Sequence, residues 1–242
     1  MTAITYARYD MRRLYRNRRF LIFTIGFPLL LFLFIANSNK DVKLEGIPFP
    51  VYYLTGMMAW GTMNAVSAGG GIISFERSVG WTRQLRITPL PVGAYIATKV
   101  ATGYVLACTT IVVLYIGSVT VPVHLTAGGW LLMTALVLVG LPPFAALGVF
   151  LGHAVKPDTL GPALGVISSI FALLGGAWFP LSTSGTLYDV TKLLPSYWLV
   201  QAGKAGYTHQ VWPLEGWIVL VVWTTAFTVL AVRAYRRDTG KV

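Results

Sequence analysis

The chain has 242 residues, of which 55% are hydrophobic and only 11% are charged. Soluble domains carry about 25% charged residues, so this composition excludes an ordinary globular protein and argues against a disordered chain. Lysine and arginine number 19 against 8 acidic residues, which gives a net charge of +11. In a chain this apolar, the excess of basic residues is first a signal of membrane topology rather than of nucleic-acid binding.

Residues 4–19 are predicted to form an amphipathic helix on the membrane surface. Apolar residues recur there at spacings of three and four, and a second face carries Arg8, Arg12, Arg16 and Arg19. A basic amphipathic helix lies in the headgroup plane, where its arginines contact anionic lipid phosphates. The alternative, that these arginines only fix the topology, is equally open.

Six apolar runs follow, each long enough to cross a bilayer as a helix. They cover residues 20–37, 51–75, 99–121, 129–153, 160–179 and 214–232. The runs are continuously apolar and lack the alternation of barrel strands. The sequence therefore predicts an all-α membrane protein with six transmembrane helices, forming a single domain over residues 1–242.

The basic residues divide unevenly between the two sides of this arrangement. Fifteen of the 19 fall before the first run, after the last run or in the connections 76–99 and 154–159, and four fall on the other side. Cytoplasmic loops carry the excess of lysine and arginine in membrane proteins. Both termini are therefore predicted to be cytoplasmic, in agreement with an even number of crossings.

The connection 76–98 is predicted to carry a short helix over residues 79–87. Ser78 can cap its start, and Thr88-Pro89 can end it. The helix places Trp81, Leu85 and arginines on a cytoplasmic surface. A short rigid helix of this kind suits docking into a groove of another protein, and the alternative is an interfacial turn anchored by Trp81.

Three motifs along the chain, taken together, resemble those of the ABC-2 type transport permeases. In this sequence they read Glu76-Arg77 with Gly80, Gln84-Leu85, Thr88-Pro89-Leu90-Pro91 and Lys99, then Gly175-Gly176-Ala177-Trp178-Phe179-Pro180, then Leu193-Leu194-Pro195-Ser196-Tyr197. The first motif departs from the family pattern at Ser78, Trp81 and Thr82. These departures bear on which nucleotide-binding partner the chain accepts.

The resemblance implies a type V (ABCG-like) membrane subunit of an ABC exporter, similar to daunorubicin and other drug-resistance permeases. Such a subunit moves a drug, an antibiotic or a lipid-like compound out of a bacterial cell across the plasma membrane. The chain has no Walker A sequence, so it is expected to hold no cofactor and to be no enzyme by itself. ATP and Mg would bind to a separate ABC ATPase, present in two copies beside two permeases as a homodimer or a paralogue heterodimer.

In the family, the loop after the second span contacts the ATPase. The resemblance assigns this coupling role to Glu76, Arg77, Gly80, Gln84, Leu85 and Pro89. We add the hypothesis that Trp81 and Leu85 fill an apolar cleft of the ATPase, while Arg83 and Arg86 pair with its carboxylates.

The outer segment 180–213 is too long for a plain connection. In the family such a segment re-enters the outer leaflet and caps the pathway, a role that would involve Trp178, Phe179, Pro180, Pro195 and Tyr197. Backbone at membrane depth is tolerated only where protein buries it. The alternative is a surface loop with an interfacial helix.

A cleft between two protomers would suit a hydrophobic or amphiphilic cargo. Its candidate lining residues are Met57, Trp60 and Asn64 in the second run and Ile167, Phe171 and Leu174 in the fifth. The alternative is ordinary helix packing. The runs show no ionisable residue in mid-span, which argues against an ion-coupled transporter.

Other classes of function find less support in the sequence. An intramembrane enzyme would need convergent catalytic side chains within the runs, and the histidines show no metal-ligand spacing. A non-transporting scaffold or sensor stays open, as does an exporter of polysaccharides or lipid-linked compounds within the same family.

Overall fold

The computed structural model describes residues 3–44, 46–81, 84, 87–88, 90–181 and 185–239, and only the backbone at 3, 4, 19, 20, 187 and 239. Its helices are α1 (Ala3–Arg16), α2 (Arg18–Leu21), α3 (Phe27–Ser38), α4 (Phe49–Ser78), α5 (Val92–Ser118), α6 (Ala127–Val139), α7 (Pro142–Ala154), α8 (Pro157–Leu174), α9 (Thr186–Lys192), α10 (Pro195–Thr208) and α11 (Leu214–Thr239). A π-helical turn, Ile22–Gly26, joins α2 to α3, and a short antiparallel hairpin of β1 (Lys43–Leu44) and β2 (Ile47–Pro48) precedes α4.

Helix α4 lies at the centre of the fold. It runs for 30 residues without interruption, and most of its side chains are buried. Its principal neighbours are α5 and α7, with α3, α8 and α10 packed around the remaining surface. Apolar side chains from these helices form the core, and a smaller apolar cluster around Tyr95 includes Trp81 and Leu90 from the connection after α4.

Glycines allow α4 and α7 to approach until their backbones touch. A Cβ atom on Gly148 would overlap the carbonyl oxygen of Ser67 and lie 2.7 Å from its Cα, and a Cβ atom on Gly70 would lie 2.6 Å from the Gly148 carbonyl carbon. The Ser67 hydroxyl also donates a hydrogen bond to the Phe144 carbonyl, at 3.0 Å. Small residues at a crossing permit this close packing of membrane helices.

Within the described residues, four segments are long and apolar enough to cross a membrane: Val92–Ser118, Ala127–Ala154, Pro157–Leu174 and Leu214–Asp238. They correspond to the third to sixth predicted runs. The first run forms a shorter apolar helix, Ile22–Ser38, and the second lies within α4, which is long enough but is interspersed with glycine, serine and threonine. The all-helical architecture is confirmed, whereas six crossings stay a prediction.

Large apolar side chains are exposed along several of these helices. Phe34 of α3 is 75% exposed, Leu131 of α6 73% and Val221 of α11 64%. Apolar surface of this extent is expected where a protein contacts lipid rather than water.

The boundaries of three predicted helices were wrong. The run 129–153 breaks at Gly140-Leu141, because Pro142 cannot donate to the carbonyl of Leu138. That carbonyl accepts from the Leu141 N–H at 3.4 Å and from the Tyr104 hydroxyl at 3.3 Å. Helix α8 ends at Leu174, before a turn in which Gly176 has a φ of 77°. The N-terminal helix ends at Arg16 rather than at residue 19.

Candidate functional site

Three charged side chains meet inside the protein where α1, α4 and α5 come together. The Lys99 ammonium lies 2.6 Å from an Asp10 carboxylate oxygen and 2.7 Å from a Glu76 carboxylate oxygen. The side chains of Lys99, Asp10 and Glu76 are 0%, 4% and 1% exposed. Buried charges persist only when they are paired and hydrogen-bonded, so this ionic cluster ties the three helices to one another.

Neighbouring polar groups satisfy the remaining oxygens of the ionic cluster. The Tyr95 hydroxyl donates to Glu76 Oε2 at 2.6 Å, and the Thr102 hydroxyl donates to Asp10 Oδ2 at 3.1 Å. Two carboxylates and one ammonium leave a net charge of −1. Arg13 offsets that charge from the edge, with its guanidinium 3.5 Å from Glu76 Oε1 and its side chain 64% exposed.

Aromatic rings cover the ionic cluster. The ring centres of Tyr6 and Tyr95 lie 5.2 and 5.4 Å from the Lys99 ammonium, which is within the range of a cation–π contact. Burial raises the pKa of the Tyr6 phenol to about 12. Tyr6 therefore stays neutral at physiological pH and adds no third anion to the site.

The sequence analysis missed this cluster. It counted Lys99 as a topology charge at the end of a run and assigned no role to Asp10. The buried face of α1 is formed by Tyr6, Asp10 and Leu14, four residues apart, while Ala7 and Met11 are half-buried. Asp10 is the only acidic residue among the first forty. An isolated acid on the same face as Tyr6 and Leu14 was the signal that could have identified it.

Arg77 holds a second group of contacts at the C-terminal end of α4. Its guanidinium donates to the carbonyls of Gly152 (3.1 Å) and His153 (2.8 Å) and pairs with Asp238 at 2.5 Å. Asp238 Oδ2 also lies 3.4 Å from His153 Nδ1, whose ring packs edge-on against Tyr235. Because the last carbonyls of a helix lack partners within the helix, Arg77 caps α7 while fastening α11 to α4.

Replacing Arg77 with glutamine is expected to lower the free energy of unfolding by roughly 1–3 kcal/mol, because the carbonyls at the end of α7 and Asp238 lose their cation. Thermal unfolding in detergent, followed by tryptophan fluorescence, measures the change. Arg237→Gln, at an exposed arginine on the same helix as Asp238, is the matched control. Equal midpoints for the two variants would show that Arg77 is not a structural fastener.

The described part of the connection after α4 leads outward from these contacts. Gly80 has a φ of 72°, in the left-handed region that favours glycine, and it turns the chain after α4. Trp81 and Gln84 have helical backbone, and the Gln84 N–H donates to the Gly80 carbonyl at 3.3 Å. The prediction of Ser78 as the N-cap was wrong, because Ser78 ends α4 and its hydroxyl donates to the Phe75 carbonyl.

The structure separates the predicted coupling residues into two groups. Glu76 is buried and Arg77 half-buried, and both hold the root of the loop, while their coupling role stays a prediction. Trp81 is half-buried against the cluster around Tyr95, and Gln84 is exposed. The remaining members of the predicted set lie outside the described residues; they are Arg83, Leu85, Arg86 and Pro89.

The predicted pathway residues of α4 lie partly in the core. Met57 is completely buried, which shows ordinary packing in this conformation rather than an open cleft. Trp60 is half-buried, with Phe27 and Trp178 packed edge-on at 5.6 and 5.5 Å. The half-buried Asn64 satisfies its side chain by donating to the Trp60 carbonyl, at 2.9 Å.

The predicted pathway residues of α8 show the same division. Phe171 is 8% exposed and packs edge-on against Phe144 and Trp223, at 5.4 and 5.8 Å, so it belongs to the core. Ile167 and Leu174 are half-buried. Four of the six predicted residues therefore keep an accessible surface in this conformation.

The turn after α8 folds back onto the outer part of α4. The Tyr52 hydroxyl donates to the Gly176 carbonyl, and Trp178 contacts Trp60. Phe179 is 63% exposed and Pro180 is also exposed, so these two predicted residues lie on the surface of the described chain.

The segment that follows forms two helices, α9 and α10. Pro195 begins α10, which packs between α4 and α6 and buries most of its side chains. Tyr197 is 6% exposed, and its hydroxyl lies 3.1 Å from that of Tyr188. A cavity of about 270 Å³ lies between this segment, the hairpin and α4. Burial of α10 is what a re-entrant segment requires, and re-entry into a membrane stays a prediction.

Three of the four arginines predicted to lie on the membrane surface are exposed. Arg8, Arg12 and Arg16 are exposed on α1, and the side chain of Arg19 is outside the described residues. Their contact with lipid phosphates stays a prediction.

The fold and the contacts at the C-terminal end of α4 define a multi-pass helical membrane protein with one long central helix. The sequence model of the family described as "ABC-2 type transporter" matches residues 3–208, most of the chain. The chain therefore belongs to the ABC-2 type transporter family, the membrane subunits of ABC transporters, which work with an ABC ATPase subunit.

One curated relative is the Putative transport permease YvfS of Bacillus subtilis (strain 168). The two sequences are 27% identical over 191 residues, which cover 78% of each chain. The resemblance inferred from the motifs is thus confirmed at the level of the family.

Proposed function

We propose that this chain is the permease subunit of an ABC exporter that carries a hydrophobic or amphiphilic compound, such as a drug, an antibiotic or a lipid-like molecule, out of a bacterial cell. A separate ATPase supplies the driving force by binding and hydrolysing ATP with Mg. The working unit contains two ATPase copies and two permeases, either identical or paralogous. Alternation between inward-open and outward-open states moves the cargo.

One observation supports this proposal more strongly than any other. Helix α4 is continuous from the hairpin to the loop, and its last turn is fixed on both sides, by Glu76 to α1 and α5 and by Arg77 to α7 and α11. A displacement of the loop by a docked ATPase would therefore move several membrane helices together. A loop that ended in unpaired, solvated side chains would transmit such a displacement poorly.

The proposed arrangement in the membrane is the six-span, type V one, with both termini in the cytoplasm of the plasma membrane. The unequal distribution of basic residues supports this orientation. It places α1 and the loop after α4 at the inner surface and the hairpin, α9 and α10 at the outer surface. The buried α10 then forms the re-entrant cap with Trp178 and Tyr197.

The proposed pathway follows the facing surfaces of α4 and α8. Trp60 and Asn64 of α4 and Ile167 and Leu174 of α8 retain accessible surface, and opening of the pathway would expose the now buried Met57 and Phe171. Aromatic and aliphatic walls of this kind suit an amphiphilic cargo.

The double variant Trp81→Ala/Arg83→Glu is expected to reduce substrate-stimulated ATP hydrolysis and transport at least about tenfold. It removes the apolar anchor of the loop and reverses a charge that we assign to the ATPase interface. The measurement uses the permease co-purified with its ATPase and reconstituted in liposomes.

A matched control reverses one charge far from the loop. Lys43→Glu lies on the exposed hairpin at the opposite end of α4 and should leave coupled hydrolysis unchanged. Full coupled activity in Trp81→Ala/Arg83→Glu would remove the loop from the ATPase interface, and failure to co-purify any ATPase would remove the transporter assignment itself.

A further inference from the structure

A cleft of about 560 Å³ opens between α1, α4 and α8. The side chains that line it from α4 and α8 are apolar, and the exposed Arg13 and Arg16 of α1 form a basic mouth. The apolar lining residues include Ile72, Phe75, Leu160 and Leu164. The lining thus combines an apolar part with a cationic part, as the binding of an anionic amphiphile requires.

The cleft continues the faces already assigned to the transport pathway. Ile72 lies eight residues, or about two helical turns, beyond Asn64 on α4, and Leu164 lies three residues before Ile167 on α8. Both helices meet α1 where the basic N-terminal segment leads into the first apolar run. The cleft is therefore the inner end of the same surface.

The charge at the mouth is positive. Asp10 also lines the cleft, but its carboxylate and that of Glu76 are balanced together by Lys99 and Arg13, so Arg16 leaves a net charge of +1. Arg13 is 64% exposed, and its contact with Glu76 is long, at 3.5 Å, and made by one nitrogen. Arginine carries five N–H donors, so Arg13 can bind an oxyanion while it keeps that contact. Arg16 is exposed beside it.

We propose that this cleft binds an anionic amphiphile from the inner leaflet, with its phosphate- or carboxylate-type headgroup on Arg13 and Arg16 and its apolar chain between α4 and α8. The inference rests on the proposed function and deepens it, because it names the class of compound that enters the pathway. The same positive mouth disfavours cationic amphiphiles, since like charges repel.

Binding of phosphatidylglycerol to the purified permease in dodecyl maltoside, counted by native mass spectrometry, tests the proposal. Arg13→Gln/Arg16→Gln is expected to weaken binding about tenfold or more, because the charge-assisted hydrogen bonds to the headgroup are lost. Arg233→Gln/Arg237→Gln removes the same charge from exposed positions of α11 and should change the affinity less than threefold.

A second pair of variants tests the apolar wall without changing any charge. Leu164→Trp fills the cleft and should also reduce binding about tenfold, while Val166→Trp, at a position of α8 that is 60% exposed, should not. This pair keeps Arg13 and its contact with Glu76 intact, so a folding defect in the arginine variant cannot imitate the result.

Three outcomes would overturn the proposal. They are equal losses in the two arginine pairs, displacement of the lipid by glycerol 3-phosphate alone, and binding of dodecyltrimethylammonium that is as tight as binding of phosphatidylglycerol and equally blocked by Leu164→Trp. Each is measured without the ATPase, so failure here leaves the exporter assignment standing. Loss of ATPase coupling in the loop variant would conversely leave the lipid result unchanged.

Discussion

Replacement of Lys99 by methionine is expected to lower the free energy of unfolding by about 3–5 kcal/mol. Methionine fills a similar volume but leaves the carboxylates of Asp10 and Glu76 buried without their cation, and those side chains are at most 4% exposed. Thermal and chaotrope unfolding of the detergent-solubilised protein, followed by tryptophan fluorescence, measures the loss.

Two further variants decide whether the loss comes from the stranded carboxylates. The triple change Lys99→Met/Asp10→Asn/Glu76→Gln removes every charge of the buried trio and should recover most of the stability, because no anion is left unpaired. Lys40→Met, at an exposed lysine, should change stability by less than about 0.5 kcal/mol. If Lys99→Met lowered the free energy of unfolding no more than Lys40→Met does, the ionic cluster would not stabilise the packing of α1, α4 and α5.

Substitution of Gly148 by leucine is also expected to destabilise the protein. It should lower the free energy of unfolding by an amount at or beyond the upper end of about 1–3 kcal/mol. The first atom of the new side chain would overlap the Ser67 carbonyl oxygen, and backbone cannot rotate away as a side chain can. Helices α4 and α7 must then separate along their crossing. The yield of monodisperse protein and its unfolding midpoint report the effect.

Gly93→Leu is the matched control, since a Cβ atom on Gly93 meets no other atom within 4 Å. It should be neutral or slightly stabilising, because leucine favours a helix more than glycine does. An intact, equally stable Gly148→Leu protein would show that the contact between α4 and α7 is not tight in the folded state.

The sequence predicted the helical class and the amphipathic N-terminal helix because apolar periodicity records burial directly. It placed helix ends less well. The pair Pro142-Pro143 was visible within the fourth run, but a proline in a membrane helix can either kink it or end it, and the choice depends on whether another group reaches the freed carbonyl. Here Tyr104, from a different helix, supplies that group.

The ionic cluster could not be predicted from the sequence, for a different reason. Asp10, Glu76 and Lys99 are far apart along the chain, and each has an ordinary local explanation as a charge near the end of an apolar run. Only the packing of α1 against α4 and α5 brings the Lys99 ammonium to within 2.7 Å of an oxygen of each carboxylate. The contacts of Arg77 with the carbonyls at the end of α7 were likewise not predicted, and its coupling role stays a prediction.

The length of α4 has a mechanical consequence. A helix of 30 residues is about 45 Å long, which is more than the hydrocarbon thickness of about 30 Å. For a rod of that length, a rotation of only about 10° about one end moves the other end by roughly 8 Å. If α4 moves as a rigid body, a small change of its tilt at the hairpin is therefore also a shift of several ångströms at Glu76 and Arg77. The two describe one motion at opposite ends of the same helix.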